Sequence, residues 1–168
     1  VMREGPPVLN PIFPKRIDNT YHGHQLAVWI LTLFLLVKTF ASITQIGLNP
    51  LWTSREILQG VEGVPLDTYT TSAADAAIVL FGWWGIAGLM PTLLGFVAVL
   101  RYRAMIPIIY LLMAITKISE MALAEISPIV GILGAGAPMP LIGVALLLVG
   151  FGLSVTTPRR SKGAGMSG

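Results

Sequence analysis

The sequence predicts an all-α membrane protein with four transmembrane helices in an antiparallel bundle and both termini in the cytoplasm. Three observations support this fold class: an apolar composition, four long apolar runs and an uneven distribution of basic residues. Of 168 residues, 54% are hydrophobic and 11% are charged, whereas a soluble domain carries about 25% charged residues. The mean hydropathy is +0.77. This composition excludes an ordinary soluble domain.

Four apolar runs are the predicted spans, at about residues 24–46, 73–100, 104–126 and 141–155. The first three are long enough to cross a bilayer, and the fourth needs its flanks to reach across roughly 30 Å. Each run is predicted to be helical, because backbone groups in lipid must bond within their own segment and the alternation of a barrel strand is missing. The first run is too long for a signal peptide, so we expect it to stay in the mature protein.

Basic residues predict the orientation, because cytoplasmic flanks are enriched in Lys and Arg. Of the 11 basic residues, Arg55 alone flanks the spans on one side, and Lys38 and Lys117 lie inside spans. The others fall on the opposite side: Arg3, Lys15, Arg16, Arg101, Arg103, Arg159, Arg160 and Lys162. The formal net charge of +3 is therefore mainly a topology signal, and it predicts that both termini are cytoplasmic.

Three parts of the chain are predicted: a Pro-rich cytoplasmic arm at 1–20, a transmembrane domain at 21–157, and a basic, then Gly/Ser-rich, cytoplasmic tail at 158–168. The prolines favour an extended arm, either a mobile leader or a docking segment for a partner. In the loop between the first two spans, Thr53 to Glu56 fits a capping box and predicts a short helix. Ser72 to Asp75 fits a second capping box, at the start of the second span.

Four charged residues form a predicted intramembrane polar cluster: Lys38, Lys117, Glu120 and Glu125. A charge inside a span costs several kcal/mol unless it is paired or hydrated. Lys117 and Glu120 are neighbours at i,i+3, and Lys38 lies at about the depth of Glu120 on a span of the same direction. One interpretation is a structural clasp that fixes helix register. The other is a proton or cation path through Glu120 and Glu125.

Small residues predict helix-packing or partner faces on the second and fourth spans, because they let another helix approach closely. Glycines recur at i, i+3 and i+6 in the second span, with two tryptophans between them that are either packed internally or presented to an outside helix, lipid or pigment. The fourth span carries a small-xxx-small pair. These predicted faces comprise Gly82, Trp83, Trp84, Gly85, Gly88, Gly150 and Ser154.

His22 and His24 precede the first span and point to different sides of a helix. Interfacial anchoring is one interpretation, and His24 as a ligand for a pigment or haem at a subunit interface is the other. No metal site is predicted, because two His without Cys cannot complete a structural zinc site. No catalytic residue is predicted, since the phosphate-binding, zincin and nucleophile-elbow motifs are missing. No cofactor is expected, although we expect bound lipid.

Three stretches resemble a group of small four-span bacterial membrane proteins to which no activity is assigned. They are RIDNTY at 16–21 with its continuation to Lys38, GVPLDTY at 63–69, and RYRA at 101–104. The likeness covers about residues 16–157, implies an inner-membrane four-helix protein and carries over no functional residue. Small four-span multidrug transporters are less similar, because their essential carboxylate lies in the first span, where this chain has Lys38.

Together these features predict a non-catalytic accessory subunit of a larger bacterial membrane complex, respiratory or photosynthetic, that packs against partner helices, lipids or pigments. The reasons are the missing catalytic motifs, the short loops and the Pro-rich arm. One alternative is a small proton- or cation-coupled transporter or channel that uses the buried Lys and Glu residues. A second is a membrane enzyme of quinone or lipid. The expected partners are the bilayer and other membrane subunits, with no nucleic acid.

Overall fold

The computed structural model describes residues 21–126 and 139–156, together with the single residues Ile12 and Asn19. Over these residues the regular structure is helical, with no strand. The helices are α1 (Gln25–Ile46), α2 (Ser54–Gly60), α3 (Thr71–Leu100), α4 (Ile106–Ile126) and α5 (Met139–Val155), with short 3₁₀ turns at Leu66–Thr68 and Arg103–Met105. Most of the predicted arm and all of the tail at 158–168 lie outside the described residues.

Three segments are long and apolar enough to cross a membrane: Gln25–Ile46, Thr71–Leu100 and Arg103–Leu123. The fourth apolar helix, α5, is shorter at 17 residues. Each of the four helices begins and ends within two residues of a predicted apolar run. The prediction of a helical membrane protein is therefore confirmed, with three long apolar helices and one shorter one.

Local hydrogen bonds explain where the first helices begin and end. The side chain of His24 accepts a hydrogen bond from the backbone N–H of Leu26 at 3.1 Å, so His24 is the N-cap of α1. Gly47 ends α1 in the left-handed region, at a φ of 82°, where a side chain would be strained. The predicted capping box of α2 is confirmed, because the side chains of Thr53 and Glu56 each bond to the other's backbone N–H.

The predicted capping box at Ser72 and Asp75 is wrong. The N-cap of α3 is Thr70, whose extended backbone places its hydroxyl 3.4 Å from the N–H of Ala73. Ser72 and Asp75 therefore already lie within the helix.

The main apolar core lies where α1, α3, α4 and α5 meet. Leu31 and Leu35 of α1 pack there with Tyr110 of α4 and Leu147 of α5, all of them nearly inaccessible. The Tyr110 hydroxyl donates a 2.6 Å hydrogen bond to the backbone oxygen of Ala27. The Ala27 oxygen also accepts the α-helical hydrogen bond from the N–H four residues later in α1. The bond from Tyr110 therefore uses the second lone pair of this oxygen. It ties the first turns of α1 and α4 together.

A second, smaller apolar cluster fastens the loop between α1 and α3. Leu58, Val64 and Leu66 of the loop are buried against Ala74 and Phe81 of α3. The loop is thus folded onto the ends of the two long helices, at the opposite end of α1 from Tyr110. This arrangement brings loop residues close to the polar side chains described next.

Candidate functional site in the helical bundle

A polar cluster centred on the carboxylate of Glu120 joins three helices. Lys117 Nζ donates a 2.9 Å hydrogen bond to Glu120 Oε2 within α4. On the other oxygen, Lys38 Nζ of α1 lies 3.9 Å from Glu120 Oε1. Trp84 Nε1 of α3 donates to the same Oε1 at 3.4 Å. Glu120 is therefore the shared acceptor of the cluster, which we call the Glu120 cluster: Lys38, Trp84, Lys117 and Glu120.

Trp84 belongs to this cluster, although the sequence placed it only on a packing face. Its ring lies 6.0 Å from Lys38 Nζ, within cation–π range. The ring of Phe81 packs edge-on against the same Trp84 ring, with the two ring centroids 5.9 Å apart. The available signal was chemical: an indole N–H within a membrane span needs an acceptor, and Glu120 is a carboxylate in a span. Sequence reasoning did not connect the two.

The loop residue Glu62 also lies within electrostatic range of the Glu120 cluster. Burial raises the pKa of the Glu62 carboxyl above its ordinary value, while the positive charge of Lys117 acts in the opposite direction. No role was predicted for Glu62 from the sequence. Its position depends on how the loop folds over the helix ends, which no local pattern encodes.

A cavity of about 450 Å³ lies beside the cluster, between α1, α3 and α4. The charged residues of its wall are Lys38, Lys117 and Glu120, the hydroxyl residues Thr92, Thr116 and Ser119 also line it, and the remaining wall is mostly apolar. Two wall residues of α4, Ile115 and Leu123, are 53% and 65% exposed at the surface of the bundle. The cavity therefore opens sideways, toward the space that lipid would occupy.

The buried hydroxyl of Ser42 lies next to this cavity and has no hydrogen-bond partner within the described part of the chain. A Cβ atom added to Gly88, which lines the cavity, would be 3.3 Å from Ser42 Oγ and 3.2 Å from Lys38 Cε. Lys38 likewise makes no hydrogen bond to another described residue, since its nearest carboxylate oxygen is 3.9 Å away. Lys38 therefore lines the cavity with an incompletely paired ammonium group, and the Ser42 hydroxyl lies behind Gly88, off the cavity wall.

The glycines predicted on the second span face α1 of the same chain. A Cβ added to Gly85 would lie 2.8 Å from Gln45 Cβ and 3.0 Å from the backbone oxygen of Ser42. At Gly82 the nearest atom, the backbone oxygen of Gln45, would be 3.7 Å away. Trp83 points elsewhere and is 70% exposed.

On α5, the two small residues also face the inside of the bundle. Gly150 packs directly on the ring of Tyr110, leaving no room there for a side chain. Ser154 is buried and donates a 2.7 Å hydrogen bond to the backbone oxygen of Phe151.

Two other sequence candidates remain apart from the cluster. His24 is exposed at the start of α1, and its Nδ1 is used in capping the helix. Glu125 belongs to α4, but its side chain is outside the described part of the structure. Among the residues that are described, no group of three or more His, Cys, Asp or Glu side chains is placed to hold a metal ion.

The Glu120 cluster and the apolar core occupy different halves of the bundle. Lys38 and Lys117 lie toward the loop, whereas Leu31, Leu35 and Tyr110 fill the section between them and the start of α1. Most of the buried side chains described in that section are apolar, and the polar exceptions include Thr92, which lines the cavity, and the hydroxyl of Tyr110. A hydrated route would need to pass through side chains that are almost fully buried.

The apolar helices and the charges paired between them define the class of this chain: an all-helical membrane protein. No protein-family model, no curated protein and no solved structure matches the chain.

Proposed function

We propose that this chain is a non-catalytic accessory subunit of a larger membrane-protein complex in a bacterial inner membrane. The observation that carries the proposal is the Glu120 cluster, in which one carboxylate engages α1, α3 and α4 above a closed apolar core. Charges paired across helices fix how the helices are aligned, which suits a structural role. The bacterial inner-membrane location in this proposal rests on the resemblance of the sequence to small four-span bacterial proteins.

We further propose that α1, α3, α4 and α5 cross the membrane as an antiparallel bundle with both termini cytoplasmic. In support, the backbone N–H of His24 at the start of α1 donates to the oxygen of Leu153 near the end of α5 at 3.0 Å. Tyr110, early in α4, bonds to Ala27, early in α1. Helix α5 extends about 26 Å at 1.5 Å per residue, so its flanks supply the few ångströms needed to span roughly 30 Å.

The proposed partner face is the outer side of α3. Leu80, Trp83, Met90 and Leu94 are exposed there, at spacings of three, seven and four residues, which bring side chains onto one face of a helix. Large apolar side chains on this face are suited to a partner helix as well as to lipid. Trp83 is the best residue for distinguishing a partner helix from lipid, because aromatic residues contribute strongly to the binding energy of protein interfaces.

Gentle solubilisation followed by native mass measurement tests the accessory role. We expect the chain to be released with at least one different subunit, and Trp83→Ala to weaken that association. Trp29→Ala is the matched control, because Trp29 is 67% exposed but lies on α1. A monomer or a symmetric homodimer, with no foreign subunit in several mild detergents, would contradict the proposal. The masses of any retained subunits also test whether the complex is respiratory or photosynthetic.

A further inference from the structure

We propose that the cavity beside the Glu120 cluster binds one long-chain fatty acid, with its carboxylate on Lys38 and its acyl chain leaving between α3 and α4. This inference does not rest on the accessory role, because it concerns the isolated chain. The argument uses the charge of the wall, the depth of the cations and the shape of the opening.

The charge of the cavity wall favours an anionic head group. The wall carries the cations Lys38 and Lys117 against the single carboxylate of Glu120. Lys117 already holds one carboxylate oxygen at 2.9 Å, so Lys38 is the cation with donors to spare. The loop carboxyl of Glu62 lies within electrostatic range of both lysines but is not on the cavity wall. A ligand carboxylate completes the neutralisation in a site where an unpaired charge is costly.

The depth of Lys38 favours a single-chain acid over a phospholipid. Lys38 lies eight residues before the last residue of α1, or about 12 Å along the helix axis. A phospholipid keeps its phosphate and glycerol near the membrane surface, whereas the small head group of a fatty acid can enter further when a cation neutralises it.

The shape of the cavity accommodates such a molecule. About 450 Å³ lies at the small end of the usual range for ligand pockets, roughly 300–1,000 Å³. The volume is suited to the head group and the first part of an acyl chain. Ile115 and Leu123, on the wall and exposed at the bundle surface, provide an apolar path for the rest of the chain into lipid.

Tryptophan quenching by a brominated fatty acid tests the proposal. Phenylalanine replaces Trp29, Trp52 and Trp83, so that Trp84 in the cavity wall is the reporter. In phosphatidylcholine nanodiscs, we expect dibromostearate to quench Trp84 saturably, at one molecule per protein, and stearate to reverse the quenching. Methyl stearate should compete more weakly by about tenfold or more, because it lacks the charge that Lys38 recognises.

Matched variants locate the site. Lys38→Met should weaken dibromostearate binding by about tenfold or more, and Gly88→Ala should weaken it by crowding Lys38 Cε at 3.2 Å. Gly82→Ala, on the same face but away from the cavity, should leave binding unchanged. If Lys38→Met does not fold, two comparisons still test the proposal: stearate against methyl stearate, and Gly88→Ala against Gly82→Ala.

Several results would overturn the proposal. Quenching that rises linearly without saturation indicates simple partition into lipid. Equal competition by methyl stearate rejects recognition of the carboxylate. Stronger displacement by a neutral isoprenoid quinone or by phosphatidylglycerol assigns the cavity to a different amphiphile.

Discussion

Replacing Gly85 with alanine tests how closely α1 and α3 approach. The added Cβ would lie 2.8 Å from Gln45 Cβ, 3.0 Å from Ile46 Cγ1 and 3.0 Å from the backbone oxygen of Ser42. Normal contacts of this kind are longer by several tenths of an ångström, and a helix carbonyl cannot rotate away. The two helices must therefore separate.

Overpacking of this type costs about 1–3 kcal/mol, and the higher helix propensity of alanine returns about 0.5–1 kcal/mol. We expect Gly85→Ala to lower the free energy of unfolding by about 0.5–2 kcal/mol. Gly82→Ala is the control, because its new Cβ meets its nearest atom at an ordinary 3.7 Å. That variant keeps the propensity gain and should be as stable as the original chain, or slightly more so.

The assay is unfolding in a mild detergent, followed by circular dichroism as the fraction of a denaturing detergent rises. Equal stability of Gly85→Ala and Gly82→Ala would refute the close approach of α1 and α3 at this point. The comparison is informative because both variants add the same methyl group to the same helix, three residues apart.

Three further predictions address the polar groups. Glu120→Gln should leave Lys38 and Lys117 without their shared counter-charge, and should therefore lower the yield and the thermal stability of the protein. A Glu120→Gln protein that folds normally but has lost a measurable proton or cation flux would favour the transporter hypothesis. Tyr110→Phe removes the hydrogen bond to Ala27 and should cost about 0.5–1.5 kcal/mol in the same unfolding assay, and no change would mean that the bond contributes nothing. Because the pKa of Glu62 is raised by burial, the folded state binds its proton more tightly than the unfolded state, and stability should fall as the pH rises from the ordinary Glu pKa through the raised value. Glu62→Gln should remove this slope, and an unchanged slope would assign it to another group.

The helices could be predicted closely because length and hydropathy are local properties of the chain. The start of α3 was predicted less well, because three consecutive hydroxyl residues, Thr70, Thr71 and Ser72, are each suited to the N-cap position. Thr70 caps the helix since the preceding loop leaves its backbone extended, and that loop conformation depends on Leu66 packing against α3.

The polar cluster could be predicted in part. Equal depth on parallel spans indicated a contact between Lys38 and Glu120, and the structure places their charged atoms 3.9 Å apart. The participation of Trp84 and Glu62 could not be read from the sequence. The contact of Trp84 depends on the distance between α3 and α4, and the position of Glu62 depends on how the loop packs on the helices. Neither distance produces a periodic pattern in the sequence.

The bond between the His24 N–H and the Leu153 oxygen has a consequence for biosynthesis. Because α1 precedes α5 in the chain, the N–H donor is synthesised well before the carbonyl that accepts from it. Gly150, which packs against the Tyr110 ring, is made together with that carbonyl as part of α5. Until α5 has been made, the His24 N–H and this side of the Tyr110 ring lack these contacts. We therefore expect the starts of α1 and α4 to reach their final packing only after α5 has joined them.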